Sequence, residues 1–304
     1  MTMKLTYQII IPFLLTFHLA QAQISSNNTT VKGNNEFAME LYKKLSQSKS
    51  NNLFISPYSI SSALAMTYAG AKGTTAEEMA QTLHFVPKQL HKDFRLITNH
   101  LKKLNEASLK LEVANALWVE KTLPLLPTFL NLNKNYYQAK VENLNFAKQP
   151  EKSRLIINQW VEDNTNKKIK NLIPEGLIDR NTSVVLTNTI YFKGQWFYPF
   201  KEKNTRKMPF ITGNGQVVET QFMTMQEKFR YFERPSIRVI EVPYTDDKMS
   251  MMIFLPRNGL ARLEETLSAH TIRTLHNYMR TRPSTSVNLF LPRFEINTDA
   301  SLKL

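Results

Sequence analysis

The residues that most constrain what this chain can fold into run from Asn52 to Leu64, Asn-Leu-Phe-Ile-Ser-Pro-Tyr-Ser-Ile-Ser-Ser-Ala-Leu. An apolar run, Leu53 to Ile55, meets a helix start there. Ser56 is placed to cap the open N–H groups, and Pro57 fits the first helical position, where a missing N–H costs nothing. The helix then carries small and apolar residues on almost every side, through Ala63, Leu64, Ala65, Met66, Tyr68 and Ala69. A helix apolar all round belongs inside a large core. Burying Ser56 and Ser59 with it is costly unless their hydroxyls find partners, so the pattern predicts a polar knot in the interior.

A partner for that knot lies downstream. Ser183 to Phe192 reads as a strand rich in β-branched and aromatic residues, with Leu186, Asn188, Ile190 and Phe192 on one face. An unpaired amide among such neighbours costs about 1–3 kcal/mol. The pattern alone fits equally well an edge asparagine that meets water. Several segments, in order, resemble the serpin family: Asn52 to Leu64; Ile157-Asn158-Gln159-Trp160-Val161-Glu162; Asn188-Thr189-Ile190-Tyr191-Phe192-Lys193-Gly194-Gln195-Trp196; Val242-Pro243-Tyr244 leading to Ser250-Met251-Met252-Ile253-Phe254-Leu255-Pro256; and Val287-Asn288-Leu289-Phe290-Leu291-Pro292-Arg293-Phe294. The resemblance runs from about Asn35 to the last residue. It implies an α+β serpin-like single domain with a large central sheet, further sheets and about eight or nine helices.

Coarse patterning agrees with α+β. Helices are expected over Asn35 to Gln47, from a capping box at Thr74 to Met79, over Lys88 to Asn105, Pro127 to Gln138, Glu151 to Lys170, Leu260 to Leu267 and Ala269 to Arg280. Strands are expected over Leu109 to Val119, Lys207 to Thr212 and Gln216 to Met223 around a Gly213-Asn214-Gly215 turn, within Phe229 to Leu255, and over Val287 to Ile296. No linker or internal repeat divides the chain, so one domain is expected over residues 23–304, and by the resemblance an incomplete one that lacks the C-terminal strands.

Residues 1–22 hold an early Lys4, an apolar stretch from Ile9 to Leu19 and the small-residue site Ala20-Gln21-Ala22. This is the pattern of a secretory signal peptide, and its apolar stretch is too short for a membrane span. A secreted, extracellular chain with no membrane partner is the expectation. With no cysteine, disulfides and thiolate chemistry are excluded. Asn27, Asn28 and Asn181 each begin a glycosylation sequon.

Enzyme motifs are absent. The six histidines show no metal-ligand spacing, and there is no nucleophile elbow, phosphate-cradling loop or dinucleotide fingerprint. No catalytic residue, metal or cofactor is therefore expected, although a spatially assembled serine triad leaves no mark in sequence. The net charge is +14, and removing Lys4 with the leader leaves +13 (14 − 1). Such a charge favours polyanions, and for an extracellular protein that means sulfated glycosaminoglycan and not nucleic acid. Lys88, Lys92, Arg95, Asn99, Lys102 and Lys103 fall on one stripe of the Lys88 to Asn105 helix, opposite Leu90, Phe94, Ile97, Leu101 and Leu104. An ordinary solvated face has the same pattern.

The serpin resemblance implies that the equivalent helix binds heparin in some members. It also implies a bait loop cleaved by a serine or cysteine protease, which then inserts into the main sheet and distorts the trapped protease. Ser56, Ser59 and Asn188 match the polar cluster through which that sheet opens, and Trp196 matches the tryptophan beneath the point of first insertion. Lys167 stands where the family commonly has glycine. By the same resemblance, Asp299 to Leu304 matches a helix start ahead of the bait loop, so the loop and the C-terminal strands are missing from the sequence as given, and the expectation is either a fragment of a longer serpin or a serpin-derived protein without bait. Two functions are expected in consequence: protease inhibition by a monomer that includes the loop, or non-inhibitory extracellular binding through the basic stripe.

Overall fold

The computed structural model describes residues 16–17, 28–48, 52–213 and 215–296. The leader expected over residues 1–22 lies outside these residues except for Thr16 and Phe17, and Asn27 and the helix start at residues 299–304 lie outside them as well. The elements run β1 (Thr16–Phe17), α1 (Thr29–Ser48), α2 (Pro57–Tyr68), α3 (Gly73–Thr82), α4 (Leu90–Lys103), β2 (Leu109–Glu120), α5 (Pro127–Tyr137), β3 (Lys140–Leu144) and α6 (Pro150–Asn164). They continue with β4 (Val184–Gly194), β5 (Arg206–Ile211), β6 (Val217–Arg234), β7 (Ile237–Pro243), β8 (Met249–Pro256), α7 (Leu260–Thr266), α8 (Ala269–Arg280) and β9 (Thr285–Pro292). Eight α-helices among the described residues and grouped strands make the chain α+β, as expected.

The chain divides into two compact units, one of Met1–Ala20, Met39–Ile55 and Gly194–Leu304, the other of Gln21–Ala38 and Ser56–Lys193. In the second unit a three-stranded sheet has the order β3-β2-β4, with β2 and β3 parallel from Ala116 opposite Lys140 to Glu120 opposite Leu144. Trp118, Phe146 and Ile157 are fully buried there with Ala116, Leu144, Ile173 and Ile178. Each large side chain so buried stabilises the fold by about 1.5–3 kcal/mol. Trp118 also donates its indole N–H to Thr187 Oγ1 at 2.9 Å, which satisfies the one polar atom it takes inside.

In the first unit the sheet order is β1-β8-β7-β6-β5, with β9 pairing β6. The 18-residue β6 joins two antiparallel ladders, because Phe222 to Phe229 pair with β9 while Arg230 to Arg234 pair with β7. Met39, Val239, Met252, Phe254, Leu267, Ile272 and Met279 form the core between that sheet and α8.

Several boundaries differ from the sequence expectations. α1 starts at Thr29 because Asn28 caps it, its Oδ1 accepting from Val31 N at 3.1 Å. α3 starts at Gly73, ahead of the Thr74 capping box, with no side-chain cap. α4 begins at Leu90, so Lys88 precedes the helix. The buried face of β4 carries Thr187 and Thr189, while Leu186, Asn188, Ile190 and Phe192 are half-buried. At Gly33 a Cβ would lie 2.1 Å from the His84 carbonyl oxygen, so no other residue fits that close approach.

The helical pattern expected to reach Lys170 stops at Asn164, the end of α6. The reason is a Schellman-type end, in which Lys167 N donates to Glu162 O at 2.8 Å and Asn166 takes the left-handed conformation at φ 50°. Lys167 follows at φ 60°, a conformation that costs a non-glycine residue about 1–2 kcal/mol. Its side chain is exposed. Lys167→Gly should therefore raise stability by up to about 1 kcal/mol, the strain relieved less the entropy that glycine loses on folding. The check is the urea midpoint, which should rise at unchanged slope.

Candidate functional site

Pro57 starts α2 and Ser56 takes the cap backbone conformation, but the Ser56 hydroxyl makes no capping bond. The serines that α2 buries completely are Ser61 and Ser62. Ser59 reaches across to β4 and donates its hydroxyl to Asn188 Oδ1. The Asn188 amide donates in turn to Asn115 Oδ1 on β2 at 2.6 Å, and Asn115 Nδ2 donates to the Tyr137 carbonyl at 2.9 Å. Of the expected cluster, Ser59 and Asn188 are brought together, and Ser56 stays at the helix end outside it. Asn115, which sequence reading missed, takes the third place. Its signal was visible as an asparagine in the middle of the otherwise apolar β2 run Val113-Ala114-Asn115-Ala116-Leu117.

Beside this chain of bonds, Tyr58 bonds Thr98 Oγ1 at 3.0 Å, and burial pushes its hydroxyl up to about 12 against the lowering effect of that bond. His91 Nδ1 lies 2.6 Å from the Tyr137 hydroxyl, and burial lowers the His91 pKa. Both observations describe a packed, desolvated layer between α2, α4 and α5.

In the first unit, Trp196 stacks on Tyr244 with ring centroids 4.5 Å apart and planes at 11°, and Phe197 N donates to Pro243 O at 3.0 Å. Trp196 thus fixes the chain leaving β4 against the end of β7.

The stripe residues Lys88, Lys92, Arg95, Lys102 and Lys103 are all exposed. α4 turns its one carboxylate inward, since Asp93 is buried and accepts from Thr30 Oγ1 at 2.6 Å. Lys102 donates to Gln138 Oε1, and Gln138 Nε2 donates to Asn99 Oδ1 at 2.9 Å, so the C-terminal half of the stripe is tied to the end of α5. Of the sequons, Asn181 is exposed in the turn after Asp179, and Asn28 is the half-buried cap of α1.

A Ser/acid/His grouping does occur, at Ser250, Glu241 and His276. The Ser250 hydroxyl donates to Glu241 Oε1 at 2.9 Å, Arg230 Nη1 lies 3.2 Å and His276 Nε2 3.7 Å from the same oxygen, and Arg230 Nη2 reaches Asp247 at 2.7 Å. It is not a nucleophile relay, because Ser250 bonds the carboxylate and is only 3% exposed. Burial raises the Glu241 pKa, but the His276 hydrogen bond and charge, the Arg230 charge and the Ser250 bond together hold it below the ordinary carboxylate range. Among the described residues no group of three or more acidic or histidine side chains is placed to hold a metal ion. No helix among them is long and apolar enough to cross a membrane.

Comparison with known proteins matches residues 32–304 to the family model described as Serpin (serine protease inhibitor). The chain belongs to the serpin family. It is 37% identical over 297 residues to human Serpin B4, covering 91% of this chain and 76% of that protein. It is 38% identical over 277 residues to the leukocyte elastase inhibitor of Xenopus laevis, covering 88% and 73%. Among solved structures, emu ovalbumin superposes with a TM-score of 0.84 at 28% identity, covering 88% of this chain and 74% of that one. Cleaved kallistatin complexed with heparin superposes with a TM-score of 0.80 at 28% identity, covering 87% and 80%. The serpin resemblance and the fold expected from it are thus established.

Two outcomes test this geometry. Asn188→Leu removes the partner of both Ser59 and Asn115 and should cost about 1–3 kcal/mol, read as a lower urea midpoint. An unchanged midpoint would show that the bonds are replaced by water. Glu241 has a depressed folded pKa, so the stability it contributes is full above the ordinary carboxylate pKa and is lost as pH falls through the folded value. Glu241→Gln should therefore be less stable than the parent at neutral pH, with the gap narrowing in acid.

Proposed function

We propose that this serpin is secreted and that, in a form that includes the bait loop, it inhibits a serine or cysteine protease as a suicide substrate. In this reading Ser59, Asn188 and Asn115 form the clasp that must open for loop insertion. The observation that supports it is the bond from Ser59 on α2 to Asn188 on β4, continued to β2, which ties the strand beside the insertion point to a helix. Relatives named as protease inhibitors, such as the leukocyte elastase inhibitor, agree with it. Trp196, stacked on Tyr244, would by the resemblance lie beneath the point of first insertion.

A second reading is favoured by the stripe. Lys88, Lys92, Arg95, Lys102 and Lys103 face solvent with the one acid of α4 turned inward, a surface suited to a sulfated glycosaminoglycan. The solved structure of kallistatin carries heparin. Binding and inhibition would then be separable, with the stripe serving either function. Asn181, exposed in its turn, would accept a glycan on the secreted chain, as would Asn27 and Asn28.

Replacing Lys92, Arg95 and Lys102 together should lower retention on a heparin column and reduce the slope of log affinity against log salt by about one for each cation removed. Equal elution of variant and parent would assign the stripe to ordinary solvation. In the same preparation, residues 23–304 mixed with trypsin-, chymotrypsin- and elastase-like proteases should give no denaturant-stable complex, since the loop to be inserted is not among them. One band containing both proteins would overturn that reading.

A further inference from the structure

The last turn of α5 is where α4 and the side-chain relay through Asn188 meet, and both meet at Tyr137. Its backbone carbonyl accepts from Asn115 Nδ2 at 2.9 Å, and Asn115 Oδ1 accepts from Asn188 at 2.6 Å. Its hydroxyl lies 2.6 Å from His91 Nδ1 on α4. The turn closes on Gln138, left-handed at φ 52°, whose side chain reaches back to Asn99 and Lys102 of α4. Tyr137 is therefore held by a titratable group at one end and by the relay at the other.

The bond between Tyr137 and His91 has a direction. Tyr137 is 1% exposed, and among the described residues its hydroxyl has no other hydrogen-bond partner. A buried hydroxyl needs an acceptor for its hydrogen, so Tyr137 donates and the neutral imidazole accepts at Nδ1, with its own hydrogen on Nε2. A protonated imidazole has no lone pair left to accept with. Its Nδ1–H must then donate to the hydroxyl, and the Tyr137 hydrogen loses its acceptor.

The surroundings oppose that charge as well. The rings that face His91 are Tyr68 from α2 and Tyr136 and Tyr137 from α5, with centroids 6.2, 6.2 and 5.7 Å away, and none is stacked on it. On α4 itself, Lys92 adjoins His91 and Arg95 follows one turn on, both of like charge. The one carboxylate of that helix, Asp93, is taken by Thr30. Burial lowers the His91 pKa and raises that of Tyr137, the directions this geometry requires.

We propose that His91 is the titratable end of the clasp, and that its protonation in mild acid frees Tyr137 and loosens Asn115 and Asn188, so that the clasp opens more readily as pH falls. This rests on reading Ser59, Asn188 and Asn115 as a clasp, and it adds a regulatory group on the basic helix. His91 is held neutral in the folded chain. The stability it contributes is therefore full above the ordinary histidine value of about 6.5, and is lost as pH falls below that value and through the folded one.

The test is NMR of the Asn115 and Asn188 side-chain amides in the full chain, assigned by substitution. They are followed from about pH 7.5 to about pH 5 beside the His91 imidazole. Both amides should shift along one curve with the His91 ring, with a midpoint below the ordinary histidine value. In His91→Gln, whose side-chain oxygen can still accept from Tyr137, both should keep their neutral-pH positions. In Tyr137→Phe the backbone carbonyl remains and the hydroxyl is gone, so His91 should still titrate while the amides stay fixed. The β4 backbone amides around Asn188 should exchange about threefold faster or more in the parent than in His91→Gln at about pH 5.5, and equally at about pH 7.5. Amides that stay fixed in the parent while His91 titrates would overturn the proposal. So would an amide titration that survives in either variant, which would assign it to another group or to a field acting through space. Equal exchange of parent and His91→Gln in acid would overturn it too. The clasp itself is tested separately by the Asn188→Leu midpoint, so the two failures are distinguishable.

Discussion

The interaction on which the sheet unit depends is the relay of side-chain amides through Asn188. One residue satisfies a hydroxyl from α2 and an amide oxygen from β2, and Asn115 passes the connection on to the backbone at the end of α5. Four elements are tied by three bonds. Each bond adds only about 1 kcal/mol net, but removing any member strands a desolvated partner, so the relay is either whole or costly. That all-or-none character would suit the clasp proposed above, which has to hold closed and yet be able to open. An apolar contact of the same area would give comparable stability without directional registry between α2 and β4.

Charge is segregated by the same logic. The cations of α4 reach water, its single carboxylate is consumed by Thr30, and Lys102 is steadied by Gln138. The basic surface is therefore not neutralised by its own helix. Elsewhere the pairing runs the other way, as Arg230 spans the two carboxylates of Glu241 and Asp247.

Element types were legible in the sequence because hydrophobic period sets them, and the Asn52 to Leu64 segment announced a buried helix through its composition. Element ends were less legible. α6 stops six residues short of its expected end because Asn166 and Lys167 adopt positive φ, and nothing in a lysine signals that. The candidate site was half legible. Ser59 and Asn188 could be paired from their apolar settings, whereas Ser56 looked equivalent to Ser59 only because a cap position and a buried position share the same residue type. Asn115 was missed because a single polar residue within a strand reads as noise until its neighbour across the sheet is known. The inward face of β4 was misjudged for a related reason, since Thr187 is buried by virtue of the Trp118 indole it accepts from, a partner 69 residues away in sequence.

The charge cluster and the sheet edge meet at Ser250, and this has a consequence for register. Ser250 donates to the fully buried Glu241 and is also the residue opposite Thr16. A strand laid along β8 one residue out of step would place a large apolar side chain at this polar position and turn its whole pattern to the wrong face. A polar residue embedded in a run of Met, Ile and Phe therefore does for the sheet edge what Asn188 does for α2 and β4. It costs stability if mispaired, and by that cost it selects one alignment among several that hydrophobic burial alone would accept. In both units the hydrophobic effect supplies the driving force for assembly, and a small number of buried polar groups decide which assembly forms.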